Sequence, residues 1–175
     1  MRKTKLFGQI LRIVIGLVIL VLIVGHINLL FNAIRDLKYH QGVELNFTKI
    51  VKAVFYLTYL ISPIIFLVAA VGYFWKSMTG WIMLTILFYY TLFDNFFINI
   101  PSYSNSLLDY LFLLIPLCFL FIVNLKAIRS IYNTKSNMIV SNLIAILSSL
   151  IIVFISGYVK LHYDMHIFEI IEKIK

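Results

Sequence analysis

The chain has 175 residues, of which 62% are hydrophobic and only 13% carry a charged side chain. Soluble domains have roughly 45–50% apolar and about 25% charged residues, so a soluble fold would leave much of this apolar surface in water. The net charge is +8, but most Lys and Arg residues flank apolar blocks or lie near the termini. This distribution is typical of membrane proteins and provides no basic face for nucleic acid.

Five apolar blocks follow along the chain, and each is compatible with the roughly 20 residues that cross a bilayer core. Helix is the conformation that satisfies the backbone N–H and C=O groups of such a block in lipid. The sequence therefore predicts an all-α fold: one polytopic transmembrane helical bundle with about five spans, or four if the first or third is not a full span. The single domain covers residues 1–175, with spans near residues 10–31, 50–75, 81–98, 107–126 and 138–159.

The first block follows the basic stretch "MRKTK" but is longer than the roughly 7–15 apolar residues of a signal peptide, and no A-x-A-like cleavage site follows it. It is predicted to be a retained span, with Arg12 near its end, where a long side chain reaches the headgroups. His26 and Asn28 give its outer half a polar stripe. They are either packing residues bonded to a neighbouring helix or polar groups lining a pore.

The second and third blocks are joined by the short segment "YFWKSMTGW", which predicts an antiparallel helical hairpin. Trp75 and Trp81 bracket this turn, as amphipathic rings do at a headgroup boundary. The preceding loop, residues 35–49, is predicted to be a solvated connector or a short interfacial helix broken at Gly42.

Polar residues mark the end of the third block and the start of the fourth. A charged residue within a span is a functional hypothesis by default, because it is costly to place in lipid. Pro63 and Pro116 add possible kinks, and Cys118 is expected to be a small core residue. The pore candidates at this level are Asp94, Asn95, Asn99 and Asp109.

The fifth block carries a stripe of small and polar residues at heptad-like spacing: Ser141, Asn142, Ser148 and Ser149. Such a face lets helices approach closely and form hydrogen bonds with one another. Its two interpretations are docking on another subunit and packing inside the bundle.

The tail places His162, His166 and Glu169 on one face of a helix, and these are acceptable ligands for zinc or another first-row metal. The zinc-protease pattern H-E-x-x-H is absent. Because residues 160–175 also alternate between apolar and charged faces, the favoured prediction is an amphipathic interfacial helix.

The N-terminus is predicted to be cytoplasmic and the C-terminus external, because the N-terminus and the loop "KAIRSIYNTKSNM" are basic and contain no acid. No Gly-rich phosphate loop, nucleophile elbow or CxxC pair occurs, so the sequence predicts neither catalysis nor a cofactor. Its expected partners are the lipid bilayer and further copies of itself or a partner subunit.

The favoured function is a non-catalytic bacterial inner-membrane subunit, anchor or oligomeric scaffold. One use of such a protein is as the membrane component of a phage-defence system or as a toxin-immunity protein. The alternatives are a small oligomeric channel or transporter and a metal-dependent membrane enzyme.

Overall fold

The computed structural model describes residues 2–39, 46–56, 61–99, 107–134 and 138–165. Within these ranges every regular element is helical and no strand occurs, so the all-α prediction is confirmed. The helices are α1 (Arg2–Tyr39), α2 (Phe47–Tyr56), α3 (Ile61–Phe74), α4 (Met78–Asp94), α5 (Leu107–Asn124), α6 (Lys126–Ile131) and α7 (Met138–Met165); a π-helical turn (Asn95–Asn99) continues α4.

Two of the described helices are long and apolar enough to cross a membrane: α1 over Leu6–Asn32 and α7 over Met138–Tyr158. Two further apolar stretches, Ser62–Phe74 in α3 and Leu113–Asn124 in α5, are shorter than that. The helices overlap the predicted blocks, although α1 is longer than its block and the second block contains α3 and most of α2. That these helices cross a membrane, and that there are five spans, stays a prediction.

Helices α3 and α4 form the predicted antiparallel hairpin. The Ser62 and Tyr90 hydroxyls lie 3.2 Å apart at one end of the pair. At the other end the two backbones touch, since a Cβ built on Gly72 would lie only 2.6 Å from the Gly80 carbonyl oxygen. The turn is closed by the Ser77 hydroxyl, which accepts a hydrogen bond from the Gly80 N–H at 3.2 Å. The hairpin prediction is therefore confirmed.

Helix α4 lies at the centre of the bundle and packs against α3, α5 and α7. Its rings and aliphatic side chains are buried on several faces, and Phe88 stacks on Phe119 of α5 with 5.2 Å between ring centroids. The other helices cover it, so their outer faces remain apolar and exposed. The buried residues of α4 are Gly80, Trp81, Leu84, Thr85, Leu87, Phe88 and Tyr90.

The helices alternate in direction, so one end of the bundle collects the start of α1, the α3–α4 turn, the end of α5, α6 and the start of α7. Contacts join these segments directly: a Cβ on Gly8 of α1 would lie 2.8 Å from the Ala127 carbonyl oxygen of α6. The Trp81 indole N–H donates to the Val123 carbonyl of α5 at 3.0 Å. We call this end the basic end, after Arg12, Lys76, Lys126 and Arg129, which it contains.

The expected positions of Trp81 and Cys118 are wrong. Trp81 is 1% exposed and lies in the core, whereas Trp75 is 53% exposed. The two rings share a turn, but Trp81 begins the inward face of α4, so it packs against α5 and does not reach the headgroups. Cys118, expected in the core, is exposed on α5.

Segment boundaries also differ from the sequence-based expectations. Helix α1 continues into the predicted first connector as far as Tyr39, and residues 40–45, with Gly42, lie outside the described residues. Helix α7 continues without a break to Met165, so the first residues of the predicted interfacial tail belong to α7. Pro63 is the third residue of α3, which directly follows residues 57–60 outside the described chain, and Pro116 is buried within α5.

Candidate functional site

Arg12 forms the most specific cluster at the basic end. Its Nη2 donates to the Tyr73 carbonyl oxygen of α3 at 2.8 Å, and its guanidinium lies 4.6 Å from the centroid of the Tyr73 ring. Gly16, one turn further along α1, provides the space, because a Cβ there would lie 2.8 Å from the Tyr73 hydroxyl oxygen. Arg12 therefore faces the bundle and does not reach outward to the headgroups, which corrects the sequence-based expectation.

Tyr132 completes this cluster from the chain segment after α6. Its hydroxyl donates to the same Tyr73 carbonyl oxygen at 3.2 Å, and its ring centroid lies 6.0 Å from the Arg12 guanidinium. Burial raises the pKa of the Tyr132 phenol above its usual value, while the neighbouring Arg12 cation opposes that rise. One backbone carbonyl thus joins α1, α3 and the α6 segment through two donors.

We expect Arg12→Met to lower the free energy of unfolding by about 2 kcal/mol, because a hydrogen bond from a charged donor and a cation–π contact are lost. Denaturant titration of the protein in detergent micelles measures the change. The matched control is Gln9→Met, an exposed position in the preceding turn of α1, which should leave stability unchanged. Equal stability of Arg12→Met and wild type would show that Arg12 does not hold the bundle together.

A second polar cluster joins the central helix to α5 and α7. The Asn142 amide of α7 donates to Asn124 Oδ1 of α5 at 2.8 Å, and the Tyr89 hydroxyl of α4 donates to Asn142 Oδ1 at 3.1 Å. Asn124 also donates to the Leu120 carbonyl oxygen at 2.8 Å. Asn142 thus bonds to both neighbouring helices at once.

Replacing Asn142 by leucine should cost about 1.5 kcal/mol of stability, since hydrogen bonds between membrane helices contribute from under 1 to nearly 2 kcal/mol each. The double variant Asn124→Leu with Asn142→Leu should cost less than the two single variants together, because no amide is then left unpaired. A double-mutant cycle in micelles measures this coupling. Strictly additive losses would contradict the direct bond.

The serine stripe of α7 is turned largely toward α4. Ser149 is buried and donates to the Ala145 and Ile86 carbonyl oxygens at 2.7 and 3.1 Å, respectively. Ser141 is also buried, and Ser148 is half-buried. Of the two interpretations of this stripe, the described contacts belong to packing inside the bundle.

A third cluster lies toward the opposite end, between α1, α3 and α4. His26 contacts Phe66 edge to face, with 4.5 Å between ring centroids, and its Nδ1 lies 3.2 Å from the Leu22 carbonyl oxygen. Because a carbonyl only accepts, Nδ1 carries the hydrogen of this bond, which leaves Nε2 as the acceptor in the neutral ring. Asp94 of α4 is within electrostatic range of both His26 and Tyr90.

The remaining pore candidates do not form one described site. Asn28 is exposed on α1, while Asn95 is partly buried in the first position of the π-helical turn. Asn99 closes that turn and Asp109 lies in the first turn of α5, but their side chains lie outside what the structure describes. Among the candidates whose side chains are described, His26 and Asp94 interact electrostatically between α1 and α4.

The predicted metal ligands fall at the edge of the described chain. His162 lies on α7, but its side chain is not among those described, and His166 and Glu169 lie outside the described residues. Among the side chains that the structure does describe, no three His, Cys, Asp or Glu residues cluster as metal ligands would.

Sequence reasoning missed the partners of Arg12 and Asn142. Tyr73, Tyr89 and Asn124 have no motif around them; the one usable signal was a polar or aromatic residue within an apolar block. The contact at Tyr73 is made by its backbone carbonyl, which the sequence does not reveal.

Comparison with known proteins adds no relative to this description. No protein-family model matches the chain, and neither the curated proteins nor the solved structures contain a significant match to it.

Proposed function

We propose that this chain is a non-catalytic, multi-pass protein of a bacterial inner membrane that acts as a membrane subunit, anchor or oligomeric scaffold. The observation that supports the proposal is the nature of its outer surface. Among the described residues, 35 large apolar side chains are exposed. They cover the outer faces of α1, α3, α5 and α7, far beyond the apolar patches of a soluble monomer.

The interior supports the same proposal. Among the side chains that the structure describes, the polar groups of Thr85, Ser141 and Ser149 are buried. Leu17, Phe121 and Phe154, by contrast, face outward. Thr85 donates to the Trp81 carbonyl oxygen at 2.7 Å, so its hydroxyl is satisfied within α4. Apolar residues outside and paired polar residues inside are expected where lipid is the solvent.

The scaffold role is supported by how the polar groups are used. The Arg12, Asn142 and Ser149 side chains bond to neighbouring helices or to their backbones, which stabilises the packing of the bundle. We infer that the exposed faces of α1 and α7 meet lipid, a second copy or a partner subunit. A partner in phage defence or toxin immunity would be encoded beside this chain.

Membrane integration and assembly are tested separately. After alkaline extraction of isolated membranes, the tagged protein should stay in the lipid pellet; release into the supernatant would contradict the proposal. In mild detergent, light scattering should give a mass above that of the 20.4 kDa monomer, from further copies or a co-purified partner. A lone monomer whose deletion leaves every neighbouring complex intact would exclude the scaffold role.

A second candidate function, a small oligomeric channel, is favoured by one observation. His26 and Asp94 are ionisable groups on different helices that interact electrostatically, and ionisable groups within membrane helices often mark an ion path. Ion flux into proteoliposomes should then fall in Asp94→Asn and stay normal in Asn28→Ala, whose side chain is exposed. Equal flux in wild type and Asp94→Asn would exclude this function.

A further inference from the structure

The charges of this chain are divided unevenly between the two ends of the bundle. The segments that meet at the basic end carry seven basic residues and no acidic one: Arg2, Lys3, Lys5, Arg12, Lys76, Lys126 and Arg129. The other eight basic residues are nearly matched in number by all seven acidic residues of the chain. The segments of the basic end therefore contribute +7 of the net charge of +8.

These basic groups have different roles. Arg12 is already bonded to the Tyr73 carbonyl oxygen inside the bundle, so it is not part of an outer surface. Lys76, in the α3–α4 turn, and Lys126, at the start of α6, are exposed. Arg129 of α6 is partly exposed, with its Nη1 3.1 Å from the Met138 sulfur. Lys76, Lys126 and Arg129 thus form an outer rim of positive charge at the basic end.

Apolar rings lie directly beside this rim. Phe74 and Trp75, which precede Lys76, are 74% and 53% exposed, and Leu6 and Phe7 of α1 are also exposed at this end. A water-soluble acidic partner would pair with the lysines but leave the flanking apolar surface to water. A lipid leaflet covers both, because its headgroups meet the cations while its interface takes the rings.

We propose that the basic end binds the headgroups of anionic phospholipids, with Lys76 and Lys126 as two of the binding residues. The proposal rests on the membrane location proposed above and adds the lipid class that this end selects. If the basic residues only orient the protein in the membrane, no selectivity for a lipid class is required. Selective binding of anionic phospholipids and orientation alone therefore predict different results.

The experiment counts lipids bound to the full-length protein by native mass spectrometry, with phosphatidylglycerol and phosphatidylcholine of equal chain length as probes. Wild type should prefer phosphatidylglycerol. The double variant Lys76→Gln with Lys126→Gln should weaken that preference about tenfold, since each lysine near an anionic surface adds to the free energy of lipid binding. The control, Arg35→Gln with Lys49→Gln, removes the same charge from the other end and should keep the preference. Added salt should weaken it in wild type.

Three results would overturn the inference: no preference in wild type, equal loss in both double variants, or complete displacement of phosphatidylglycerol by polyglutamate. The last would assign the basic end to an acidic protein partner. Alkaline extraction of membranes that contain the same variants measures membrane integration separately. Protein that stays in the membrane but shows no lipid preference would overturn this inference alone and leave the proposed membrane location intact.

Discussion

Replacing Trp81 by alanine is expected to lower the free energy of unfolding by about 4 kcal/mol, near the upper range for removing a buried aromatic side chain. Trp81 is 1% exposed, so its removal leaves a cavity between α4 and α5. It also deletes the indole hydrogen bond to the Val123 carbonyl oxygen, 3.0 Å long. The measurement is a denaturant titration in micelles, followed by the fluorescence of Trp75.

Trp75→Ala is the matched control, because it removes the same side chain from the other end of the same turn. Because its ring is largely exposed, the substitution should lower the free energy of unfolding by under about 1 kcal/mol in detergent, as surface substitutions usually do. Circular dichroism follows unfolding of both variants on a common scale. Equal losses at the two positions would mean that both tryptophans lie at the boundary, and the central position of α4 would then be wrong.

Gly80→Ala is expected to cost about 3 kcal/mol, because the added methyl group would overlap the Trp75 carbonyl oxygen. The same Cβ would lie 2.8 Å from the Gly72 carbonyl oxygen, so both obstacles are backbone atoms that cannot rotate away. The hairpin would have to open for the variant to fold. Thermal unfolding in micelles measures the loss.

The control for this prediction is Gly25→Ala in α1, where a Cβ would have no neighbour within 4 Å. Alanine is a better helix former than glycine by about 1 kcal/mol, so this variant should be as stable as wild type or more stable. If Gly80→Ala were equally harmless, the close approach of α3 and α4 would be contradicted.

The apolar blocks predicted the long helices, but they did not predict α6 or the division of the second block between α2 and α3. Block length and the need to satisfy backbone groups in lipid placed α4, α5 and α7 within a few residues of their observed starts. The short segment around Lys76 likewise predicted the hairpin, because two helices joined by so few residues have to lie side by side. Helix position and the pairing of two closely connected helices depend on nearby residues, so they can be predicted from the local sequence.

Which residues face inward could not be predicted, because that depends on the neighbours of each helix. Trp75 and Trp81 are the same residue type at the two ends of one turn, but Trp75 is exposed and Trp81 is buried. The position of Arg12 in the sequence is typical of a boundary residue, whereas its guanidinium donates to the Tyr73 carbonyl oxygen inside the bundle. The serines of α7 suited docking on another subunit and packing inside the bundle equally well, and the hydrogen bond from Ser149 to the Ile86 carbonyl oxygen of α4 is a contact of the second kind.

The central claim is a bundle that crosses the membrane with its basic end in the cytoplasm, and labelling of single cysteines tests it most directly. In a Cys118→Ser background, Lys76→Cys, Ser130→Cys and Thr48→Cys each place one thiol at an exposed position. A membrane-impermeant maleimide is added to intact spheroplasts. We predict labelling of Thr48→Cys alone, with Lys76→Cys and Ser130→Cys labelled only after the membrane is permeabilised. Labelling of Lys76→Cys or Ser130→Cys in intact spheroplasts would contradict the account.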